Sequence, residues 1–399
     1  MSLDNSGTTI ECLRTPGELR ALREEWGALY ARSAPRNPFL SFDWTEICWE
    51  QLCAGCEPYV LTARRGGELV GVAPLRRERQ LGFRVLRFIG DGRSDYLGFL
   101  FAADCPEAER LLLDELQRRR GEWDLAVLRQ LGDGYSELTR VPAPKGLRSA
   151  GVEGTTAPYT AMDADWTALC ARGPGWLKRM QKAGRKWLKE GGTVERYVGA
   201  EAAARVEEVA AIEARSWKGR EGVARFQPGE GQELLRRALL ALGGGEEMEL
   251  WIARMDGQPV AFEINFLTPE RIWLYQGAYD EDYRKFSPGG VLDCLSIQRA
   301  WESGRREYDF MSGDEVYKAE RTMFTRAIRY LALYPPTLSG MLAFVLLVAP
   351  RWRLKSYAFA RAALQLWVTR KSKPAALLPL GVAERLRGHR APAVRESMP

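Results

Sequence analysis

The stretch Gln276-Gly-Ala-Tyr-Asp-Glu-Asp-Tyr-Arg-Lys-Phe-Ser-Pro-Gly-Gly290 reads as the end of a strand, a turn and the start of an apolar helix. Ser287 is a good N-cap, and Pro288 suits the first helical position. Gly289 and Gly290 let a ligand approach the backbone. Arg284 and Lys285 stand just before the helix start. Basic side chains, unpaired amides and the positive end of a helix dipole make an anion site, most naturally for phosphate. A plain capped helix with solvated flanking charges explains the same string.

Working outward, two strands precede this stretch, Glu249–Met255 and Gln258–Leu267, joined by Asp256-Gly257, a hairpin signal. A third strand is expected over Arg271–Ala278, and helices over 166–190, 202–218 and 231–243. Beyond the turn follow a helix to Ser303, a strand Glu307–Met311, a short helix near Glu315–Glu320 and a strand Ala327–Tyr334. The first 130 residues repeat the order. Helices over 17–32 and 42–51 lead to strands Tyr59–Arg64 and Glu68–Leu75 around Arg65-Gly66-Gly67, then strand Phe83–Ile89, helix Cys105–Arg119 and strand Leu125–Arg129. Pro142, Pro144 and the glycines up to Gly154 read as a linker. The fold class is α/β, with mixed, largely antiparallel sheets and flanking helices. Expected domains are 1–155 and 156–335, followed by a basic amphipathic tail, 336–399.

Composition narrows the chemistry. The 399 residues hold 58 Lys+Arg, 52 Asp+Glu and one histidine, His389, which lies in the polar tail. No Ser-His-Asp or Cys-His pair and no two-histidine metal site can be built in the body. Proton transfer is left to carboxylates, Tyr, Lys, water or the substrate. From Arg351 to Pro399 there are 11 Lys+Arg and 2 Asp+Glu, a net of +9, so the remainder of the +6 total is −3. The seven cysteines are odd in number and scattered, which reads as reduced thiols in a cytoplasmic protein and no metal. The first dozen residues are polar and lack a signal-peptide core. Walker, nucleophile-elbow and dinucleotide fingerprints are missing, which weakens NTPase, α/β-hydrolase and Rossmann readings.

The hairpin, longer strand, basic Gly-rich turn and helix resemble the core of the GNAT acyltransferases, in which Gln/Arg-x-x-Gly-x-Gly/Ala holds the pyrophosphate of an acyl-CoA. Here Arg284-Lys285-Phe286-Ser287-Pro288-Gly289 is similar, with Ser287 in place of the first glycine and Pro288 removing one backbone donor. Further strings are Glu213-Ala-Arg-Ser-Trp-Lys-Gly, Tyr279-Asp-x-x-Tyr-x-x-x-Ser-Pro-Gly and Tyr308-Asp-Phe-x-x-Gly-Asp-x-x-Tyr-Lys, with Asn37-Pro-Phe-Leu-Ser and Ser94-Asp-Tyr upstream. Together they resemble the CelD-like acetyltransferases, a GNAT branch similar in build to the Fem-type aminoacyltransferases. The resemblance covers roughly residues 10–335 and implies two tandem GNAT-like units, the acyl donor (acetyl-CoA or another acyl-CoA) held mainly by the second.

Such a site needs an amine to attack a thioester, a backbone amide to stabilise the oxyanion, and a proton for the leaving sulfur. Asp309, Asp314 and Glu263 are the candidate carboxylate bases, and Tyr317 stands where GNAT enzymes often place the tyrosine that protonates the thiolate. Asp309 also reads as a turn cap and Tyr317 as a packed aromatic. Arg284, Lys285, Ser287, Gly289 and Gly290 are expected at the donor. Asp95, Tyr96, Trp217, Lys218 and Lys318 are expected at the acceptor, Trp217 being as readily a core residue.

Two basic segments add partners. Trp176–Lys189 carries Lys178, Arg179, Lys182, Arg185, Lys186 and Lys189 among Trp176, Met180 and Trp187, a helix able to grip phosphates or simply to be solvated. Residues 338–373 combine an apolar run with aromatics and cations, as an interfacial membrane helix or a packed tail helix would. The expectation is an acyl-CoA-dependent N-acyltransferase for an amine of a small molecule or sugar building block, in the cytoplasm or peripheral on the inner face of a membrane. A Fem-type aminoacyl-tRNA-dependent transferase and a non-catalytic scaffold are the alternatives; nucleic acid enters only with the former.

Overall fold

Three tight turns organise the strands. Gly66-Gly67, Leu81-Gly82 and Asp256-Gly257 all hold paired positive φ angles, the twist that a two-residue hairpin requires. They join β3 (Glu57–Arg65) to β4 (Glu68–Gln80), β4 to β5 (Phe83–Phe88), and β10 (Met248–Met255) to β11 (Gln258–Leu267). The other strands are β1 (Ser2–Leu3), β2 (Thr8–Leu13), β6 (Leu100–Phe101), β7 (Leu125–Gly132), β8 (Arg148–Ala161), β9 (Gly192–Val198), β12 (Arg271–Tyr279), β13 (Glu307–Asp309) and β14 (Phe324–Tyr334). This computed structural model describes residues 2–3, 7–132, 138, 143–172, 175–313, 315, 318, 321–322 and 324–350. Met1–Trp352 cluster as one unit; the other unit, Arg353–Pro399, lies outside the described residues.

All fourteen strands among the described residues belong to one mixed sheet, in the order β1-β2-β3-β4-β5-β7-β14-β8-β13-β12-β11-β10-β9, with β6 beside β4. Two pairs are parallel. β5 meets β7 at Val85↔Leu125, and the helix Glu107–Arg118 makes the crossover. β12 meets β13 at Arg271↔Glu307, and the helix Pro288–Glu302 makes the crossover. Each half of the chain therefore builds the same hairpin, strand, helix, strand sequence, as expected of tandem GNAT-like units.

Three local expectations are corrected and one strand is added. Residues 148–154 are the start of β8, which pairs with β14 from Arg148↔Tyr334 to Tyr159↔Phe324 across one bulge. The helix expected over 166–190 is two, Trp166–Ala171 and Trp176–Lys189, the second entered through a left-handed Gly175. The helix expected over 202–218 is broken between Gly199–Ala203 and Val206–Arg215, and after Arg215 Ser216 turns extended and caps a short helix, Trp217–Arg220. β9, which had no sequence signal, is fixed by pairing with β10.

The halves are welded by aromatic rings. Phe39 and Trp44 from the first half pack on Phe266 and Tyr275 from the second, with centroids 5.1 to 6.1 Å apart and mostly edge-on. Asn37 positions this group: its side-chain oxygen accepts from the Phe39 amide (3.1 Å) and its amide donates to the Tyr96 carbonyl (3.3 Å).

Candidate functional site

The site begins where β12 and β13 part. They pair only from Arg271–Trp273 to Glu307–Asp309. β12 continues to Tyr279 on its β11 side, with a bulge that leaves Tyr275 unmatched between Leu274↔Asn265 and Gln276↔Ile264. The chain after Asp309 stays with β8 instead, the Phe310 amide donating to the Pro158 carbonyl and the Gly313 amide to the Thr156 carbonyl (both 2.9 Å). A wedge opens between them.

Lys218 closes one wall. Its Nζ donates to Gln276 Oε1 (2.7 Å) and to the Gly277 carbonyl (2.9 Å). Burial pushes its pKa down to about 8, partly offset by Glu213, and Arg225 and Lys318 push the same way as burial. The string Glu213–Gly219 is the scaffold for this one amine. Buried Glu213 accepts from the Phe226 amide (2.8 Å), and Ser216 caps the Lys218 amide (3.1 Å). Arg215 donates to Asp280 Oδ2 (2.6 Å), which ties the string to the turn after β12. Gly219 is required because a Cβ there would stand 2.2 Å from the Ala214 carbonyl oxygen. Trp217 is half-buried beside Lys218.

The opposite wall is the turn Asp309–Gly313, with Met311 in the left-handed region at φ 62°. Four side-chain and backbone clamps hold it. Asp309 Oδ1 accepts from the Met311 amide (2.7 Å), and Lys318 Nζ donates to the Ser312 carbonyl (2.9 Å) and less closely to that of Met311 (3.4 Å). Asp95 accepts from the Ser312 backbone; its burial raises its pKa against the opposing charges of Arg225 and Lys318. Asp309 Oδ2 accepts from the Tyr96 hydroxyl (2.8 Å) and from Arg326, which also grips Glu307. Burial lifts Asp309 to about 6 despite Arg326. Asp95, Tyr96, Asp309, Lys218 and Lys318 thus gather around one wedge, although Asp95 and Tyr96 come from the first half. Tyr317 and Asp314 lie outside the described residues.

Glu263 sits elsewhere, beneath the sheet against the helix Pro288–Glu302. Its Oε1 accepts from the Tyr308 hydroxyl (2.8 Å) and the Asn265 amide (2.7 Å), and Ser296 Oγ donates to Tyr308 (3.1 Å). It is 2% exposed. Burial, and then the charge of Asp293, raises it to about 8. Asp293, raised by burial too, pairs with Arg321.

At the crossover helix start, Arg284, Lys285 and Ser287 are exposed. Ser287 makes no cap with its side chain, contrary to expectation; it adopts φ 54°, which turns the chain from the short helix Glu281–Phe286 into Pro288. The two glycines serve internal packing. A Cβ on Gly290 would stand 2.4 Å from Met180 Sδ, and one on Gly289 would stand 3.3 Å from the Tyr279 ring. Met180 belongs to the helix Trp176–Lys189, whose six cations are exposed while Trp176, Leu177 and Trp187 are buried. That helix brings Lys186 within 5.6 Å of the Phe286 ring, and Lys285 stands 4.8 Å from the same ring. The two basic segments of the sequence converge at Phe286. For an acyl-CoA pyrophosphate, the fitting groups are these cations and the first helical amides.

Sequence reasoning missed Arg225, Tyr275 and Arg326, which adjoin the wedge or brace it. Arg225 and the buried Tyr275 face one another, the guanidinium interacting with the phenol hydroxyl. No spacing rule marks them, because a loop and a bulge bring them in. Among the described residues no group of three or more potential metal ligands forms.

Residues 177–319 match the family described as the acetyltransferase (GNAT) domain. Among solved structures the chain is similar to FemX, at 14% identity and a TM-score of 0.59, covering 81% of this chain and 98% of that one. It is also similar to the C-terminal domain of a putative lysylphosphatidylglycerol synthetase from Agrobacterium fabrum, at 13% identity and a TM-score of 0.53, covering 82% and 96%. At these identities the likeness is one of fold. No curated protein matches the sequence.

Proposed function

We propose that the chain is an acyltransferase that passes an acyl group from acyl-CoA to an amine in the wedge between β12 and β13. The observation that carries this is the wedge itself, opening beside an exposed basic helix start in a segment that matches a GNAT domain. The CoA phosphates would lie on Arg284, Lys285 and the first amides of the crossover helix, with the thioester directed along the free edge of β12. In its neutral form Lys218 takes the amine's proton as the new C–N bond forms and passes it to the CoA thiolate as the C–S bond breaks: two of its hydrogens are held by Gln276 and Gly277, and the burial that lowers its pKa to about 8 enlarges the neutral share. Asp95, buried among cations, orients the acceptor. The acceptor is an amine on a small molecule or a sugar building block of envelope or exopolysaccharide assembly, a reading that rests on the CelD-like resemblance.

Isothermal titration with acetyl-CoA tests the donor. Binding is expected for the wild type and at least about tenfold weaker in Arg284→Ala/Lys285→Ala, since each lost charge-assisted contact is worth roughly 1 kcal/mol or more. Unchanged affinity in the double variant removes the phosphate assignment. The convergence of Lys186 and Lys285 at Phe286 favours one second reading, an aminoacyl-tRNA donor, to which the fold likeness to FemX also points. On that reading the wild type ignores acetyl-CoA and retains RNA in a salt-sensitive way that neutralising Lys182, Arg185 and Lys186 abolishes.

A further inference from the structure

The helix Leu338–Leu347, which follows the last strand, is built with two faces of unequal fate. Gly340, Ala343 and Leu347 are buried against β7 and β14. The attachment is close: a Cβ on Gly340 would stand 2.3 Å from the Pro335 carbonyl oxygen, and Ser339 Oγ donates to Asp124 Oδ1 (2.8 Å). Phe344 stacks on Tyr334 with centroids 4.6 Å apart. The helix is therefore locked in rotation and cannot turn its other face inward. That face carries Leu338, Met341, Leu342, Val345 and Leu346, from 44% to 72% exposed. Their spacing is i, i+3, i+4, i+7, i+8, one continuous apolar stripe. It holds five of the nine large apolar residues called exposed in the described structure. A stripe of this kind on an otherwise charged surface has an occupant.

We infer that this stripe docks on an anionic lipid surface. Charge selects the occupant. The sequence continues directly from the helix into Arg351–Pro399, net +9, with Trp352, Tyr357, Phe359 and Trp367 among the cations. On the described surface, exposed Arg148 stands opposite Tyr334 in the sheet, next to the ring on which Phe344 stacks, and exposed Lys145 precedes it. An apolar stripe beside Arg148, on a chain whose sequence runs on into a basic, aromatic-rich segment, matches the chemistry of a bilayer interface: acyl chains below, anionic headgroups around. A second protein copy would have to match the same charges, and this protein's body is net negative only on average, at −3 over 350 residues. The helix is ten residues long, and no helix among the described residues is long and apolar enough to cross a membrane, so it lies along the surface. This inference is independent of which acyl donor the wedge takes.

The test uses the full chain and sedimentation with vesicles of phosphatidylcholine alone or with one quarter phosphatidylglycerol. Preferential binding to the anionic vesicles, weakened by salt, is expected. Leu342→Glu/Val345→Glu is expected to lower that binding about tenfold or more while leaving the thermal midpoint unchanged, because both side chains are already solvated. Three results overturn the inference: no binding to anionic vesicles, binding that the double variant leaves intact, or a lipid-free dimer that the double variant dissociates. The last would assign the stripe to a second copy of the chain.

Discussion

Glu263 and Asp293 are hydrogen-bonded neighbours in the interior, and both are pushed toward the protonated state by burial. Two charges there would repel each other in the interior, and burial outweighs the opposing charges of Arg321 and Lys318, so one proton is retained. Glu263 was a candidate base from its alternation with Phe262 and Ile264, a pattern that states which face a side chain takes but not what lies over that face. Here a helix lies over it. The consequence is a pH dependence of stability. A carboxyl whose folded pKa is about 8, above the ordinary 4.5, contributes fully below that ordinary value, and its contribution is lost as pH rises through 8. Thermal midpoints measured from pH 5 to 9 should therefore fall for the wild type on the alkaline side. In Glu263→Gln, where no proton can leave, the fall should be smaller. Parallel curves for the two proteins would show that the buried pair does not titrate in this range.

At the scale of elements, what was legible followed from local chemistry. Two of the three hairpins declared themselves through Gly66-Gly67 and Asp256-Gly257, and the crossover helix through Pro288 and its apolar run. What was not legible depended on partners distant in sequence. Residues 148–154 look like a linker because their glycines are read without β14, and Ser287 looks like a cap because its positive φ is set by the turn on each side. The site divides in the same way. Lys218, Asp95, Asp309 and Lys318 were visible as motif residues, whereas Arg225 and Tyr275 enter through a loop and a bulge. The Glu213–Gly219 string shows what a motif can encode: a scaffold for one amine. Gly219→Ala tests that statement. Its Cβ would meet the Ala214 carbonyl oxygen, a backbone atom that cannot step aside, so the short helix must shift and carry Lys218 away from Gln276. Stability should drop by about 1–3 kcal/mol, as overpacking usually costs. Acyl transfer should fall further than stability accounts for, in kcat more than in KM. A rate unchanged at a temperature where the variant is folded would separate Lys218 from the chemistry.

For the whole molecule, the exchange of strands at the centre makes the two halves one object. β14, at the far end of the second half, inserts between β7 of the first half and β8 of the connection. Across that seam a hydroxyl from the first half reaches the carboxylate that holds the wall of the wedge, Tyr96 to Asp309, while the Tyr96 ring packs on Trp273 at 5.4 Å. If the seam is a shared core, unfolding is a single cooperative transition, and the two residues are energetically coupled. Tyr96→Phe keeps the ring contact and removes only the hydroxyl; Asp309→Asn keeps the shape and removes the charge that Arg326 answers. A double-mutant cycle on denaturant midpoints should return an interaction energy of about 0.5–3 kcal/mol, the range for buried groups in one network. Asp309 also draws on Arg326 and the Met311 amide, so Asp309→Asn alone should cost more than Tyr96→Phe. Additive single effects would mean that the halves merely touch at this point. A coupling within the expected range, joined to loss of the Met311 turn in Asp309→Asn, would mean that the first half builds the wall at which the second half acts.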